Sequence, residues 1–222
     1  MDVLEDRNKE TLLKWLDERG KEWCEAVEEV CSDMWDAYQE AAAEKLTMAK
    51  RVIDRFHVMK NLNEAISKAR RAIQKDANTE TKEAIKGCRW LLVKNGENLK
   101  AEEKLKLDQI LDISLELKIC YKLKEAFRDL FNQRVDYETA ESQLLNWIAL
   151  VEASEFKALL SFVKTLRNWW QQILNYFTGR HNNGFAEGVN LKIKMLNRRG
   201  YGYRNFNIFR LHVLVAFDTL SR

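Results

Sequence analysis

Apolar residues recur along most of this chain at intervals of three and four, the rhythm of amphipathic helices, and only two short stretches near the N-terminus depart from it. Residues 8–24 (NKETLLKWLDERGKEWC) place Leu12, Leu13, Trp15 and Leu16 at helical spacing, with Asn8 or Thr11 positioned to cap the first turn. Residues 26–31 (AVEEVC) alternate weakly and run into Ser32, Asp33 and Met34, which predicts a short strand presenting Asp33 at its C-terminal end. The helix-forming run WDAYQEAAAEK at 35–45 predicts a helix. Residues 50–57 (KRVIDRFH) carry the Val52–Ile53 pair and end in a polar cluster, predicting a second strand. Strand, helix and strand make a βαβ unit with carboxylates at both strand exits, the end where open α/β sheets place their chemistry.

From residue 58 to about 177 the helical spacing persists, with a clear turn signal at Lys94, Asn95, Gly96 and Glu97, and a bundle of four to six helices is predicted. Trp147, Phe156, Leu160, Phe162, Trp169, Trp170 and Phe177 form a large apolar stripe that reads as core packing. Residues 179–184 (GRHNNG) break the pattern. Beyond them, residues 185–199 predict a helix with Glu187 in its first turn, and residues 208–220 a final amphipathic segment.

Composition narrows the possibilities. With 222 residues and 46% hydrophobic content the chain can bury a real core, so disorder is not expected. The absence of proline suits long helices. Cys24, Cys31, Cys88 and Cys120 are scattered without CxxC or His spacing, so neither a zinc site nor a disulfide framework is indicated, and free thiols suit a reducing cytoplasm. No signal-like segment and no window of membrane-spanning length appears, and a cytoplasmic, membrane-free protein is expected.

The net charge of +3 says little, but its distribution says more. From residue 180 onward Arg180, Lys192, Lys194, Arg198, Arg199, Arg204, Arg210 and Arg222 face only Glu187 and Asp218, a surplus of 8 − 2 = 6 positive charges. Tyr201, Tyr203, Phe206 and Phe209 interleave with them, as where a protein meets a phosphate backbone; a solvated basic helix end reads equally well. Asp33, Asp54 and Glu187 are the chemical candidates, two at strand ends and one opening a helix, positions from which carboxylates can converge on a cation. His57 either supports such a site from behind or caps a strand, and Asp54 itself suits a supporting role. Asn183 and Asn190 flank Glu187 at helical spacing, available to orient it or to contact DNA.

Several stretches resemble a known family. Ser32-Asp33-Met34-Trp35-Asp36-Ala37-Tyr38, then Val52-Ile53-Asp54-Arg55-Phe56-His57-Val58, then Arg70-Arg71 are similar to the middle of the DDE transposases of the ISL-three insertion-sequence group. Asn183-Gly184-Phe185-Ala186-Glu187-Gly188-Val189-Asn190 through Lys194, and Arg198-Arg199-Gly200-Tyr201-Gly202-Tyr203-Arg204-Asn205-Phe206, resemble that group's final helix and tail. The resemblance implies an RNase H-like fold interrupted by an all-helical insertion: a partial core over 1–57, the insertion over 58–178, and the helix and basic tail over 179–222. It gives Asp33 and Glu187 the parts of second catalytic Asp and final catalytic Glu and of metal ligands, with Asp54, His57 and Asn190 supporting them.

It further implies Mg²⁺ or Mn²⁺ as cofactor and DNA as partner, contacted through Lys192, Lys194, Arg198, Arg199 and Arg204, with a homodimer as a possible assembly. In such enzymes two metal ions about 3.5–4 Å apart hold the attacking and leaving oxygens of a phosphodiester while transposon ends are cut and joined to a target. The family's first Asp lies on an earlier strand for which this sequence has no equivalent. Asp2, in MDVLEDR, does not fit that role. The chain is therefore expected to be an N-terminally truncated fragment, catalytically crippled, with an open sheet edge and a marginal core in its α/β part. The alternative is a catalytically dead relict or a DNA-binding helical protein.

Overall fold

A computed structural model of the chain describes residues 2–218; Leu220 and Arg222, read above as part of the final segment and basic tail, lie outside them. The protein divides into two compact units, one formed by residues 1–54 together with 181–222, the other by residues 55–180.

The first unit begins with α1 (Lys9–Arg19) and α2 (Lys21–Glu25), separated at Gly20, whose φ of 84° breaks the helix predicted as continuous over 8–24. Asn8 is the N-cap of α1, although its side chain makes no capping bond. Strand β1 (Glu29–Ser32), helix α3 (Asp36–Lys45) and strand β2 (Lys50–Ile53) follow, and the strands pair in parallel with Glu29 opposite Lys50 and Ser32 opposite Ile53. The βαβ unit is thus present, with both strands shorter than predicted. Residues 26–28 stay outside β1, and residues 55–57 belong to the next helix.

Leu16 of α1, Cys24 of α2, and Ala42 and Leu46 at α3 and its end form a small core, covered by Leu12, Trp15, Val27, Val30 and Ala49. Val52 and Ile53 of β2 are completely buried, whereas β1 is half-buried along its length. After residue 180 the unit resumes with α12 (Gly184–Arg199) and α13 (Phe206–Asp218), which pack on each other. The turn between them needs glycine twice: a Cβ on Gly200 would stand 2.6 Å from the Tyr203 ring, and Gly202 has a φ of 87°.

The second unit is helical. It contains α4 (Arg55–Asp76), α5 (Thr79–Ala84), α6 (Arg89–Val93), α7 (Ala101–Ile113), α8 (Leu115–Asn132), α9 (Tyr137–Ser154), α10 (Lys157–Asn168) and α11 (Trp170–Gly179), with a 3₁₀ turn at Gly96–Asn98 on the predicted turn signal. Short helices between the long ones raise the count above the four to six expected. Val58, Leu62, Ala65, Ile66 and Ala69 give α4 its buried face, against which α8 and α10 pack.

Phe127 of α8 is the aromatic hub, with ring centroids of Phe131, Trp147 and Phe162 at 5.0, 4.7 and 5.4 Å. Of the predicted stripe, Trp147, Phe162 and Phe177 are buried, while Phe156, Leu160, Trp169 and Trp170 are only half-buried. Leu159 and Leu166 complete the inner face of α10 in their place.

Candidate metal centre and basic surface

Parallel pairing of β1 and β2 sends both strands out at the same end, and the carboxylates predicted there follow from that geometry. Asp54 immediately follows β2; its N–H donates to Ser32 O at 3.1 Å, continuing the sheet ladder, and the residue is only 3% exposed. The loop before α12 is anchored to the same strand ends. Asn183 N–H donates to Asp54 Oδ2 at 3.3 Å, His181 Nδ1 lies 2.6 Å from Glu29 Oε1, and the Cys31 thiol donates to His181 O at 3.9 Å. Burial, reinforced by the charges of Asp54 and Glu29, pushes the Cys31 thiol up to about 12, so it stays protonated at neutral pH.

Anchoring this loop fixes where α12 starts and hence where its first turn points. Asn183 is the N-cap of α12, and Glu187, one turn on, donates its N–H to Asn183 O at 2.9 Å. The result brings carboxylate oxygens of Asp54 and Glu187 within 4.8 Å of each other, one carboxylate buried and the other exposed. Two oxygens bound to one Mg²⁺ at about 2.1 Å each can be no more than about 4.2 Å apart, so the pair needs little adjustment to share an ion. Two anionic groups at this range repel, and a divalent cation between them reverses the sign of that interaction. A pair of carboxylates with one member open to solvent suits a divalent cation that keeps part of its water. These residues therefore fit a divalent metal.

The other candidates fall as follows. Asp33 follows β1 and its Oδ2 pairs with Arg7 Nη2 at 3.3 Å; the Arg7 guanidinium also covers the Trp35 ring at 4.7 Å. His57 sits on the first turn of α4, in the helical unit, with its ring edge-on to Phe56. Asn190 is exposed on α12, three residues beyond Glu187. Lys194, Arg198, Arg199 and Arg204 are exposed, whereas Lys192 donates to Ala216 O at 3.0 Å and lies 4.2 Å from the centre of the Phe217 ring, bracing α13. Arg210 is committed as well, to Asp2 at 2.7 Å. Asp2 also accepts from Trp15 Nε1 at 2.8 Å and pairs with Arg19 at 3.2 Å, a structural clamp rather than a metal site.

The sequence suggests a supporting role for Asp54; the Asn183 contact that sets Asp54 and Glu187 side by side is not visible in it. The repeated "strand, then Asp" pattern was the available signal.

Residues 1–213 match a transposase family, the DDE transposases of the ISL-three group, and the chain belongs to it. The transposase for insertion sequence element IS1001 of Bordetella parapertussis is 30% identical over 220 residues, covering 97% of this chain and 54% of that protein. The transposase for insertion sequence element IS1557 of Mycobacterium tuberculosis (strain CDC 1551 / Oshkosh) is 26% identical over 221 residues, covering 89% of this chain and 49% of that protein. A Lactococcus lactis subsp. lactis protein described as an ATP-dependent protease is 31% identical over 109 residues, 49% of this chain and 33% of its own length. The chain thus spans about half the length of the transposases it matches. No solved structure matches it. Among the described residues no helix is long and apolar enough to cross a membrane.

Proposed function

We propose that this chain is the part of an insertion-sequence transposase that supplies the later acidic residues of a DNA-cutting centre, within an RNase H-like fold carrying the helical unit as an insertion. The observation that carries this reading is the approach of the Asp54 and Glu187 carboxylates to within 4.8 Å, although 133 positions (187 − 54) separate them in the sequence of a transposase-family chain. Asp54 and Glu187 would hold a Mg²⁺ or Mn²⁺ ion, with Asp33 contributing when its carboxylate is released from Arg7. When bound, such an ion activates the attacking oxygen and stabilises the leaving one during phosphodiester cleavage. The protein's own part is positional: the β2 end and the N-cap of α12 fix two acidic groups before substrate arrives, so little reorganisation is needed at the moment of reaction. Lys194, Arg198, Arg199 and Arg204 extend from Glu187 along α12 and the following turn, where a DNA backbone can be neutralised.

The overall reaction is hydrolysis of a phosphodiester at the transposon end, with water adding to phosphorus as the bond to the 3′ oxygen breaks. The freed 3′-OH then attacks a phosphorus of target DNA, joining the transposon end to the target's 5′ phosphate as the bond to the target's own 3′ oxygen breaks. Nicking of supercoiled DNA in Mn²⁺ by a transposase that carries this chain together with its preceding part tests the reading: activity should fall at least about 100-fold in Glu187→Gln and in Asp54→Asn. Equal nicking by both variants and wild type would end it. A second reading, a DNA-binding relict without chemistry, is favoured by the Arg7–Asp33 ion pair, which occupies a carboxylate that the family resemblance makes catalytic. It predicts duplex binding with no nicking by any form.

A further inference from the structure

The helical unit carries a concentration of positive charge that the acidic centre does not use. The apolar face of α4 turns Val58, Leu62, Ile66 and Ala69 inward, which leaves Glu64, Lys68 and Arg71 on its solvent side. Where α4 meets α6, these residues with Ser67, Arg70 and Arg89 line a cavity of about 450 Å³. That volume falls in the range of about 300–1,000 Å³ usual for ligand sites. Four cations face one carboxylate there, a surplus of 4 − 1 = 3 positive charges. Ion pairs of this unit run through other residues, such as Lys94 with Glu103, Arg128 with Glu97 and Arg167 with Glu152.

Arg70 gives Nη1 to Gln74 Oε1 at 2.7 Å, but its Nε is buried without a hydrogen-bond partner among the described residues. Beside the cavity the Arg89 guanidinium covers Trp90 at 5.0 Å, and that Trp is 69% exposed, so the ring holds the cation at the cavity's rim.

We infer that this cavity seats phosphates of a DNA backbone, giving the helical unit its own grip on the substrate; the inference rests on reading the chain as a DNA-cutting transposase. Lys68, Arg70 and Arg71 on one turn of α4, with Arg89 on a second helix, give more cations than one small anion needs and can meet successive phosphodiesters. Such contacts set the position of the duplex without reading its sequence.

Anisotropy of a labelled duplex of about 30 base pairs, titrated with the full chain at several salt concentrations, tests this. Each phosphate contact contributes about 0.9 to the slope of log affinity against log salt. Arg71→Gln with Arg89→Gln should lower the slope by about 2 and weaken binding roughly tenfold or more near 0.1 M salt, with an unchanged thermal melt. Arg71→Lys with Arg89→Lys should restore the slope. If the Gln pair binds like wild type while Arg198→Gln with Arg199→Gln loses affinity, the cavity assignment is overturned and the DNA reading stands. If wild type binds no duplex, both fall. A labelled polyglutamate bound as tightly as the duplex also overturns the assignment, as it would mark an unselective anion patch.

Discussion

Asp2 shows how much one carboxylate can organise. It accepts hydrogen bonds from Arg210 of α13, Trp15 of α1 and its neighbour Val3, so that opposite ends of the sequence are clamped within one unit. The hydrogen bond from Arg210 leads the causes that hold its carboxyl far below the ordinary aspartate range, outweighing the opposing effect of burial. A depressed folded value stabilises the folded state above the unfolded value of about 3.9, and this stabilisation is lost as pH falls below about 4. Arg19 and Arg210 stand partly in water, which screens the pair, so Asp2→Asn should cost only about 1–2 kcal/mol at pH 7. In urea titrations the gap between wild type and variant should narrow at pH 3; a gap that stays constant would show that the carboxylate charge is not what matters. Cysteines give a second check at this scale. Burial pushes the Cys120 thiol up to about 12 and raises that of Cys88. Iodoacetamide at pH 8 should label neither in the native protein and both in guanidinium, as read by mass spectrometry.

At the scale of elements, α8 carries the helical unit. Phe127 is fully buried and meets Phe131, Trp147 and Phe162, while Lys124 and Arg128, on the same helix, tie down the 3₁₀ turn by bonding Lys94 O and Glu97. Phe127→Ala should destabilise this unit by about 3–5 kcal/mol in guanidinium unfolding, because the surrounding rings cannot collapse into the space. The helices of this region were legible because an apolar stripe at three- and four-residue spacing, such as that of α4, leaves no other way to bury its side chains. Boundaries were less so. Residues 55–57 look like the end of a strand because a β-branched pair precedes them, yet they begin α4, whose buried face at Val58 and Leu62 captures them. Likewise the break at Gly20 depends on a backbone angle that local spacing does not encode.

For the whole molecule, the chain passes between the two compact units at residues 54–55 and 180–181. Two compact units predict two calorimetric transitions, with Phe127→Ala shifting one and Asp2→Asn the other. A single transition moved equally by both would contradict that. Motifs at Asp33, Asp54 and Glu187 could be read from the sequence because each sits beside a pattern break; which of them meet could not, since it depends on a loop anchored by Asn183 and His181 to strands about 130–150 positions away. The claim on which the rest depends is that folding makes Asp54 and Glu187 a divalent-ion site. Mn²⁺ titration followed by the electron paramagnetic resonance of the free ion tests it most directly. Wild type should remove free Mn²⁺ from solution, and Asp54→Asn and Glu187→Gln should each weaken binding at least about tenfold. Equal Mn²⁺ uptake by wild type and the double variant would contradict it.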